Sequence, residues 1–263
     1  MSDRHAAGAD APMQDGRTTA PEPEPRDTAE LKPEPRDTAE PKPEPRDSAR
    51  PAHRPVRIGL TGPIGCGKST VAGWLTAMGG RRIDLDVLAR EMTAPRAPTL
   101  PAIRRRFGDG VFAADGSLDR AALAAIVFRD PAALADLERI VHPSVRERLV
   151  EEVAAAGAAG VPFVVIEAIK LVESGIAAAC DVVWIVDCGP EMQRARLSGR
   201  GVAPDDAERR IAAQGADLAG RLVARLTSER PSLPVRRLVT DGPEAEVRGA
   251  VETALGEALS VGR

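Results

Sequence analysis

Residues 62–69 match the phosphate-loop pattern G-x-x-x-x-G-K-[ST], and this motif constrains the fold more than any other feature of the chain. Apolar residues alternate through residues 56–61, as in a strand, and residues 69–75 can continue as a helix. Glycines let the backbone curl so that its N–H groups point at phosphate oxygens near the positive end of that helix. The order strand, loop, helix predicts an α/β protein that binds a nucleoside triphosphate.

Residues of the loop have separate predicted roles. Lys68 would bridge the outer phosphates of ATP, and the hydroxyl of Ser69 would hold Mg²⁺. The predicted ATP-binding residues are Gly62, Pro63, Ile64, Gly65, Cys66, Gly67, Lys68, Ser69 and Thr70.

The three cysteines, Cys66, Cys180 and Cys188, are odd in number and lack the spacing of a metal site. Neither a disulfide nor a zinc site is therefore expected. Cys66 lies near a helix N-terminus, which could lower its thiol pKa and make it oxidisable. Alternatively, it is a small residue tolerated where Ser or Ala would serve as well.

Composition narrows the classes of partner. Of the 263 residues, 43% are hydrophobic but only four are Phe, two are Trp and none is Tyr, so single-stranded nucleic acid would find little to stack on. The net charge is −3 and no continuous basic face is evident, which also argues against nucleic acid. With no membrane-length apolar run and no secretory signal, we expect a cytoplasmic protein without a membrane partner, as a monomer or weak homo-oligomer.

A ten-residue repeat rich in Pro, Glu and Arg sets residues 1–54 apart from the rest. The repeat has almost no apolar side chains that could offset the entropy of ordering, so it predicts a disordered tail. The tail could be a docking arm for proline-binding domains, a spacer, or a dispensable extension.

Beyond the tail, strand-like and helix-like segments alternate, which predicts a parallel sheet with helices on both faces. The predicted strands are residues 56–61, 81–84, 162–167, 181–187 and 235–240. The third and fourth are continuously apolar, as expected of interior strands. We expect a nucleotide-binding core at 55–87 and 152–263, a helical substrate-binding insertion at 88–151, and an arginine-bearing lid at about 191–225.

Several motifs occur in an order that resembles the dephospho-CoA kinase family, over about residues 56–257. The matching features are Thr61 before the loop, residues 84–90, Phe107-Gly108 followed by residues 115–120, His142-Pro143, the arginines around Arg200, and residues 210–214. The resemblance implies a P-loop kinase fold with a five-stranded parallel sheet. It also implies transfer of the γ-phosphoryl group of ATP to the ribose 3′-hydroxyl of dephospho-CoA, with Mg²⁺.

Two other functions remain open from the sequence. The chain could be a P-loop kinase of another nucleotide or small metabolite, because the acceptor site lies in the insertion, where the sequence is least informative. It could also be a non-catalytic nucleotide-binding protein. Lys68, Ser69 and an arginine lid favour turnover, and no guanine-binding Asn-Lys-x-Asp motif is present.

Asp86 is the predicted catalytic carboxylate. It follows the second strand at the carboxyl edge of the sheet, where it could orient the acceptor hydroxyl, and the resemblance aligns it with the acceptor-binding carboxylate. Asp84 would point the other way along an extended segment, and a structural or a site role is open for it. Arg90 would contact substrate or be an exposed helix residue.

An arginine carried by a closing lid could stabilise charge on the transferred phosphoryl group. Arg200, before the turn-forming Gly201, is the predicted catalytic arginine, and Arg196 and Arg210 rank next. Thr61, Arg90, His142 and Arg210 are the predicted substrate contacts. For His142 a structural role is equally open, because Pro143 suits the first turn of a helix.

Residues 167–173 depart from the family pattern. Similar kinases have Asp in place of Glu167, Pro in place of Ile169 and Leu in place of Lys170. Glu167 can still reach Mg²⁺ through a water, with altered geometry. Lys170 could pair with Glu173 or approach an acidic group of a ligand.

Overall fold

The computed structural model describes residues 54–261, so the predicted tail lies outside the described residues, except for Arg54. One parallel sheet has the strand order β2-β3-β1-β4-β5. Its strands are β1 (Val56–Thr61), β2 (Arg81–Asp84), β3 (Phe163–Glu167), β4 (Val182–Asp187) and β5 (Val235–Val239). The predicted fold class is confirmed, and each strand lies within one residue of its predicted bounds.

Helices connect the strands. They are α1 (Lys68–Ala77), α2 (Leu85–Glu91), α3 (Leu100–Phe107), α4 (Arg120–Val127), α5 (Pro131–Ala158), α6 (Pro190–Ser198), α7 (Pro204–Gln214), α8 (Leu218–Glu229) and α9 (Glu244–Val261). No helix among residues 54–261 combines the length and apolar character needed to cross a membrane.

The sheet is covered on both faces, as the apolar interior strands predict. In β3, Val164 and Ile166 join one core cluster with residues of α2, α5 and α8. Phe163 and Val165 join the other cluster, with residues of α1 and α9. This alternation follows from the two-residue period of a strand, and it explains why β3 is apolar at nearly every position.

Aspartates cap two helices of the insertion. The carboxylate of Asp119 accepts hydrogen bonds from the N–H groups of Ala121 and Ala122, at 3.0 and 2.9 Å, and α4 begins. Asp130 accepts from Ala132 N at 2.8 Å, and Pro131 opens α5. These caps satisfy N–H groups that have no partner inside the helix.

The prediction that a helix begins at Pro143 is wrong. His142 and Pro143 lie inside α5, which has been helical since Pro131. A proline within a helix removes one backbone hydrogen bond. The buried Val141 and Val145 on either side hold the helix against the core, and this packing outweighs the loss.

The third helix after β4 belongs to the core. Ala219, Leu222 and Leu226 of α8 are buried in the cluster that contains β4 residues, so the helix covers the sheet. We therefore propose a lid that ends at Gln214, shorter than the predicted 191–225.

Candidate active site

The phosphate loop joins β1 to α1 and has the curled backbone that its glycines allow. Gly62 has φ 138° and Gly67 has φ 86°. A Cβ at Gly62 would collide with the carbonyl oxygen of Val186, so this position requires glycine. Among residues 54–261, no side chain caps α1 at Gly67. The N–H groups of Lys68 and Ser69, at the start of α1, are therefore available to an anion.

Lys68 crosses the loop that precedes it. Its Nζ donates to the carbonyl oxygens of Gly62 and Pro63, at 2.8 and 2.9 Å. Burial lowers the pKa of Lys68; nearby Glu167 and Asp86 oppose the shift, and Arg200 adds to it. The structure thus brings three of the predicted site residues within electrostatic reach of the lysine.

The two aspartates after β2 have different contacts. Asp84 accepts from Asp86 N at 3.0 Å and from Val87 N at 3.2 Å, and so caps α2. Because α2 begins at Leu85, the extended segment assumed for residues 84–86 is wrong. Asp86 lies in the first turn, exposed to solvent. Partial burial and the charge of Asp84 raise the pKa of Asp86, while Arg90 and Lys68 oppose the rise.

Glu167 ends β3 beside Asp84, its register partner on β2. Arg82 Nη2 lies 2.8 Å from Glu167 Oε2, yet this buried oxygen lacks a well-directed hydrogen bond from any of residues 54–261. Burial raises the pKa of Glu167, and Arg82 opposes the rise. A buried carboxylate oxygen with spare capacity fits a water on Mg²⁺, and the exposed hydroxyl of Ser69 fits the ion itself.

The lid arginines differ in their partners. Arg200 is exposed after α6, next to Gly201 at φ 75°, and has no ion-pair partner in the described part of the chain. Arg210 instead pairs with Asp206, Nη2 to Oδ2 2.7 Å, on the surface of α7. Arg200 is therefore available to a phosphate group, whereas the contact of Arg210 is within its own helix.

Arg196 reaches across the loop to the segment after β5. Its guanidinium donates to Thr240 Oγ1 at 2.8 Å and to Thr240 O at 2.6 Å. It borders a cavity of about 140 Å³ that Gly67, Thr70 and Gly242 also line. A nucleoside bound there would adjoin the phosphate loop.

Two glutamines that the sequence analysis did not assign hold the loop at Ile64. Gln193 Nε2 donates to Ile64 O, and Gln214 Oε1 accepts from Ile64 N, both at 3.0 Å. They come from α6 and from the end of α7. The only sequence signal for Gln193 is its place three residues before Arg196, on one face of a helix.

A second cavity, of about 310 Å³, opens beside α2. It is mostly apolar, and its lining includes Leu118, Val127, Phe128, Arg90 and His142. Two predicted substrate contacts thus share one cavity. Burial lowers the pKa of the half-buried His142, and Glu138 opposes this shift.

Two other residues have structural contacts. Thr61 is fully buried and its Oγ1 donates to Ile169 O at 3.2 Å, so the structure does not bring this predicted substrate contact to the surface of the site. Lys170 pairs with Glu138 of α5, Nζ to Oε1 3.1 Å, and not with Glu173. The Thr61 hydroxyl is buried and therefore needs a hydrogen-bond partner within the protein. The packing of α5 over the sheet brings Glu138 to Lys170.

Comparison with known proteins gives the family. A family model described as dephospho-CoA kinase matches residues 56–227. The chain belongs to the dephospho-CoA kinase family. Within this family, the dephospho-CoA kinase of Symbiobacterium thermophilum is 42% identical over 201 residues, 76% of this chain and 81% of that protein. That of Streptomyces avermitilis is 47% identical over 162 residues, 60% of this chain and 77% of that protein.

Solved structures share the fold. TT1252 from Thermus thermophilus superposes with a TM-score of 0.62 at 33% identity, covering 78% of this chain and 98% of its own. A dephospho-CoA kinase from Campylobacter jejuni has a TM-score of 0.54 at 20% identity, covering 78% and 97%, and supports the fold alone. The resemblance deduced from the ordered motifs is confirmed.

Proposed function

We propose that this chain transfers the γ-phosphoryl group of ATP to the ribose 3′-hydroxyl of dephospho-CoA, giving coenzyme A and ADP. The observation that carries the proposal is the phosphate loop with Lys68 hydrogen-bonded across it, where the charges of Asp86, Glu167 and Arg200 are near enough to act on this lysine. The site therefore has cations for the phosphates and a carboxylate for the acceptor. Phosphoryl transfer depends mainly on such positioning and charge stabilisation.

On the ATP side, the free N–H groups of the loop and of α1 would hold the phosphates, with Lys68 on the outer ones. The adenosine would occupy the cavity between Arg196 and Gly242. Ser69 and, through a water, Glu167 would hold Mg²⁺. When bound, the ion would neutralise charge on the phosphate oxygens.

On the acceptor side, Asp86 and Arg90 are four residues apart on α2. Side chains at this spacing lie on one helix face, about 6 Å apart. Asp86 would accept a hydrogen bond from the 3′-hydroxyl, and Arg90 would face the diphosphate of dephospho-CoA. The apolar cavity beyond Arg90 would accommodate the rest of this elongated acceptor, with His142 at its wall.

Arg200 would complete the site from the lid. A free guanidinium next to a glycine turn can move onto the transferred phosphoryl group when the lid closes. We propose the core at 55–87 and 152–263, the insertion at 88–151 and the lid at about 191–214. A cytoplasmic location and a monomeric or weakly associated state stay predictions.

A comparison of acceptors tests the proposal. With ATP and Mg²⁺, we expect kcat/KM for dephospho-CoA to exceed that for AMP by about 10²-fold or more, because AMP lacks the groups that would fill the second cavity. Shikimate, a non-nucleotide alcohol, is the second control. Coupled detection of ADP measures all three rates. A chain with no preference for dephospho-CoA would not have the proposed function.

Gln193→Met should raise KM for ATP about fivefold, the equivalent of one hydrogen bond of about 1 kcal/mol. Methionine keeps the length of the side chain but cannot donate to Ile64 O, so Ile64 loses one of its two hydrogen bonds to glutamine side chains. We expect kcat to change less than twofold. Initial-rate kinetics check this, and a melting temperature shows whether the fold is intact; an unchanged KM for ATP in a folded variant would contradict the role.

A further inference from the structure

Two cysteines meet beneath the phosphate loop although 122 residues separate them in sequence. Cys66 Sγ and Cys188 Sγ are 2.7 Å apart, and both residues are free thiols. Cys66 lies within the loop, and Cys188 directly follows β4. Both side chains belong to the core cluster on the α1 face of the sheet. Cys66 is 0% and Cys188 8% exposed.

The two thiols differ in access. Cys188 borders a cavity of about 310 Å³, whose lining includes Pro63, Gln193 and Gln214, whereas Cys66 does not border it. A small reagent in this cavity would therefore reach the sulfur of Cys188 first.

The two thiols also differ in proton affinity. The hydrogen bond with Cys66 lowers the pKa of Cys188; burial opposes this, and the charge of Arg196 adds to the lowering. The hydrogen bond to Cys188 and burial raise the pKa of Cys66. Because the thiolate is the nucleophile, Cys188 is the residue that reacts, and Cys66 is its resolving partner.

We propose that Cys66 and Cys188 form a reversible redox modification site that hydrogen peroxide converts to a disulfide. The Cys188 thiolate attacks the peroxide, an S–O bond forms, the O–O bond breaks, and hydroxide leaves. Cys66 sulfur then attacks the sulfenic sulfur, the S–S bond forms, the S–O bond breaks, and the released oxygen leaves as water with the proton of Cys66. The two thiols together lose two electrons, and one molecule of hydrogen peroxide takes them up and becomes two waters.

The cross-link would disturb the phosphate loop. A covalent S–S bond is shorter than the present separation, so the two sulfurs must approach each other. Cys66 lies between Gly65 and Gly67, both at positive φ, and its carbonyl accepts from Thr240 Oγ1 at 2.9 Å. A shift here changes the position of N–H groups that hold phosphate, and catalytic geometry tolerates only about 0.5 Å of error. Turnover should therefore fall. This effect rests on the proposed kinase function, but formation of the cross-link does not depend on that function.

Peroxide treatment of the full-length chain tests the site. The protein is reduced, freed of reductant, treated with hydrogen peroxide, and divided between peptide mapping and a dephospho-CoA phosphorylation assay. We expect a linked peptide pair that contains Cys66 and Cys188. The rate should fall about three- to tenfold and return when dithiothreitol is added.

Cys188→Ala and Cys188→Ser should retain basal activity and resist peroxide. Cys180→Ala is the matched control: burial raises the pKa of Cys180 to about 12, no cysteine is its partner among residues 54–261, and this variant should respond as the parent does. Equal peroxide loss in the Cys188 variants would overturn the proposal. So would a parent in which peptide mapping finds no linked pair after peroxide treatment, whereas a linked parent at full rate would contradict the effect on the phosphate loop. If the reduced protein does not phosphorylate dephospho-CoA, the proposed function fails, and peptide mapping still decides whether the cross-link forms.

Discussion

Replacing Asp86 by Asn lowers kcat for phosphorylation of dephospho-CoA by about 10²–10⁴-fold, while KM for ATP stays within about twofold. Asparagine keeps the size of the side chain but loses the charge that orients the acceptor hydroxyl. Asp86 is exposed on α2, and within residues 54–261 its side chain forms no hydrogen bond or ion pair with the phosphate loop, so only its charge acts on Lys68. Steady-state kinetics with both substrates varied separate the two constants. A near-normal kcat would remove Asp86 from the mechanism.

Asp84→Asn is the matched control, two residues away. Asparagine caps helices about as well as aspartate, so α2 should keep its start and activity should fall less than about tenfold. The charge of Asp84 raises the pKa of Asp86, so its removal lowers that pKa. Since the ionised form of Asp86 is the active one, the acidic limb of the pH profile should move to lower pH. A limb that stays in place would show that another group controls it.

Local patterns predicted most of the fold. The strands β3 and β4 are buried on both faces, so their apolar runs identified them without any tertiary information. The loop motif located Lys68 at the start of α1. In each case, the residues that produce the local structure lie within a few positions of the sequence pattern that predicted it.

Contacts between distant segments were not predictable in the same way. Glu173, close in sequence, was a predicted ion-pair partner of Lys170, but the fold places Glu138 of α5 next to Lys170 instead. His142-Pro143 had the pattern of a helix start, and tertiary packing carried α5 through it. The pairing of Cys66 with Cys188 depends on the order of β1 and β4 in the sheet, which the spacing of the cysteines does not encode.

Lys68→Met should lower kcat/KM for ATP by about 10³-fold or more. Loss of a single preorganised donor to a developing charge typically lowers rates by about 10²–10³-fold, and Lys68 also has a full charge. Stability should change little because two effects oppose each other. The carbonyls of Gly62 and Pro63 lose a donor, but a partly buried charge, whose pKa is already lowered by burial, is removed. Kinetics and a melting curve, expected within about 4 °C of the parent, check both parts.

Lys170→Met makes the same chemical change at the other lysine within residues 54–261. It breaks a surface ion pair with Glu138, which typically contributes about 0–1 kcal/mol, so kcat/KM should stay within about twofold. The difference in kcat/KM between the two variants measures the effect of the ammonium group at the phosphate loop, separately from the effect of losing any lysine. If both variants lost activity equally, the effect of Lys68 would not come from phosphate binding. If Lys68→Met kept its activity, then Arg200, the nearby cation without an ion-pair partner in the described residues, would be the group that neutralises the phosphates.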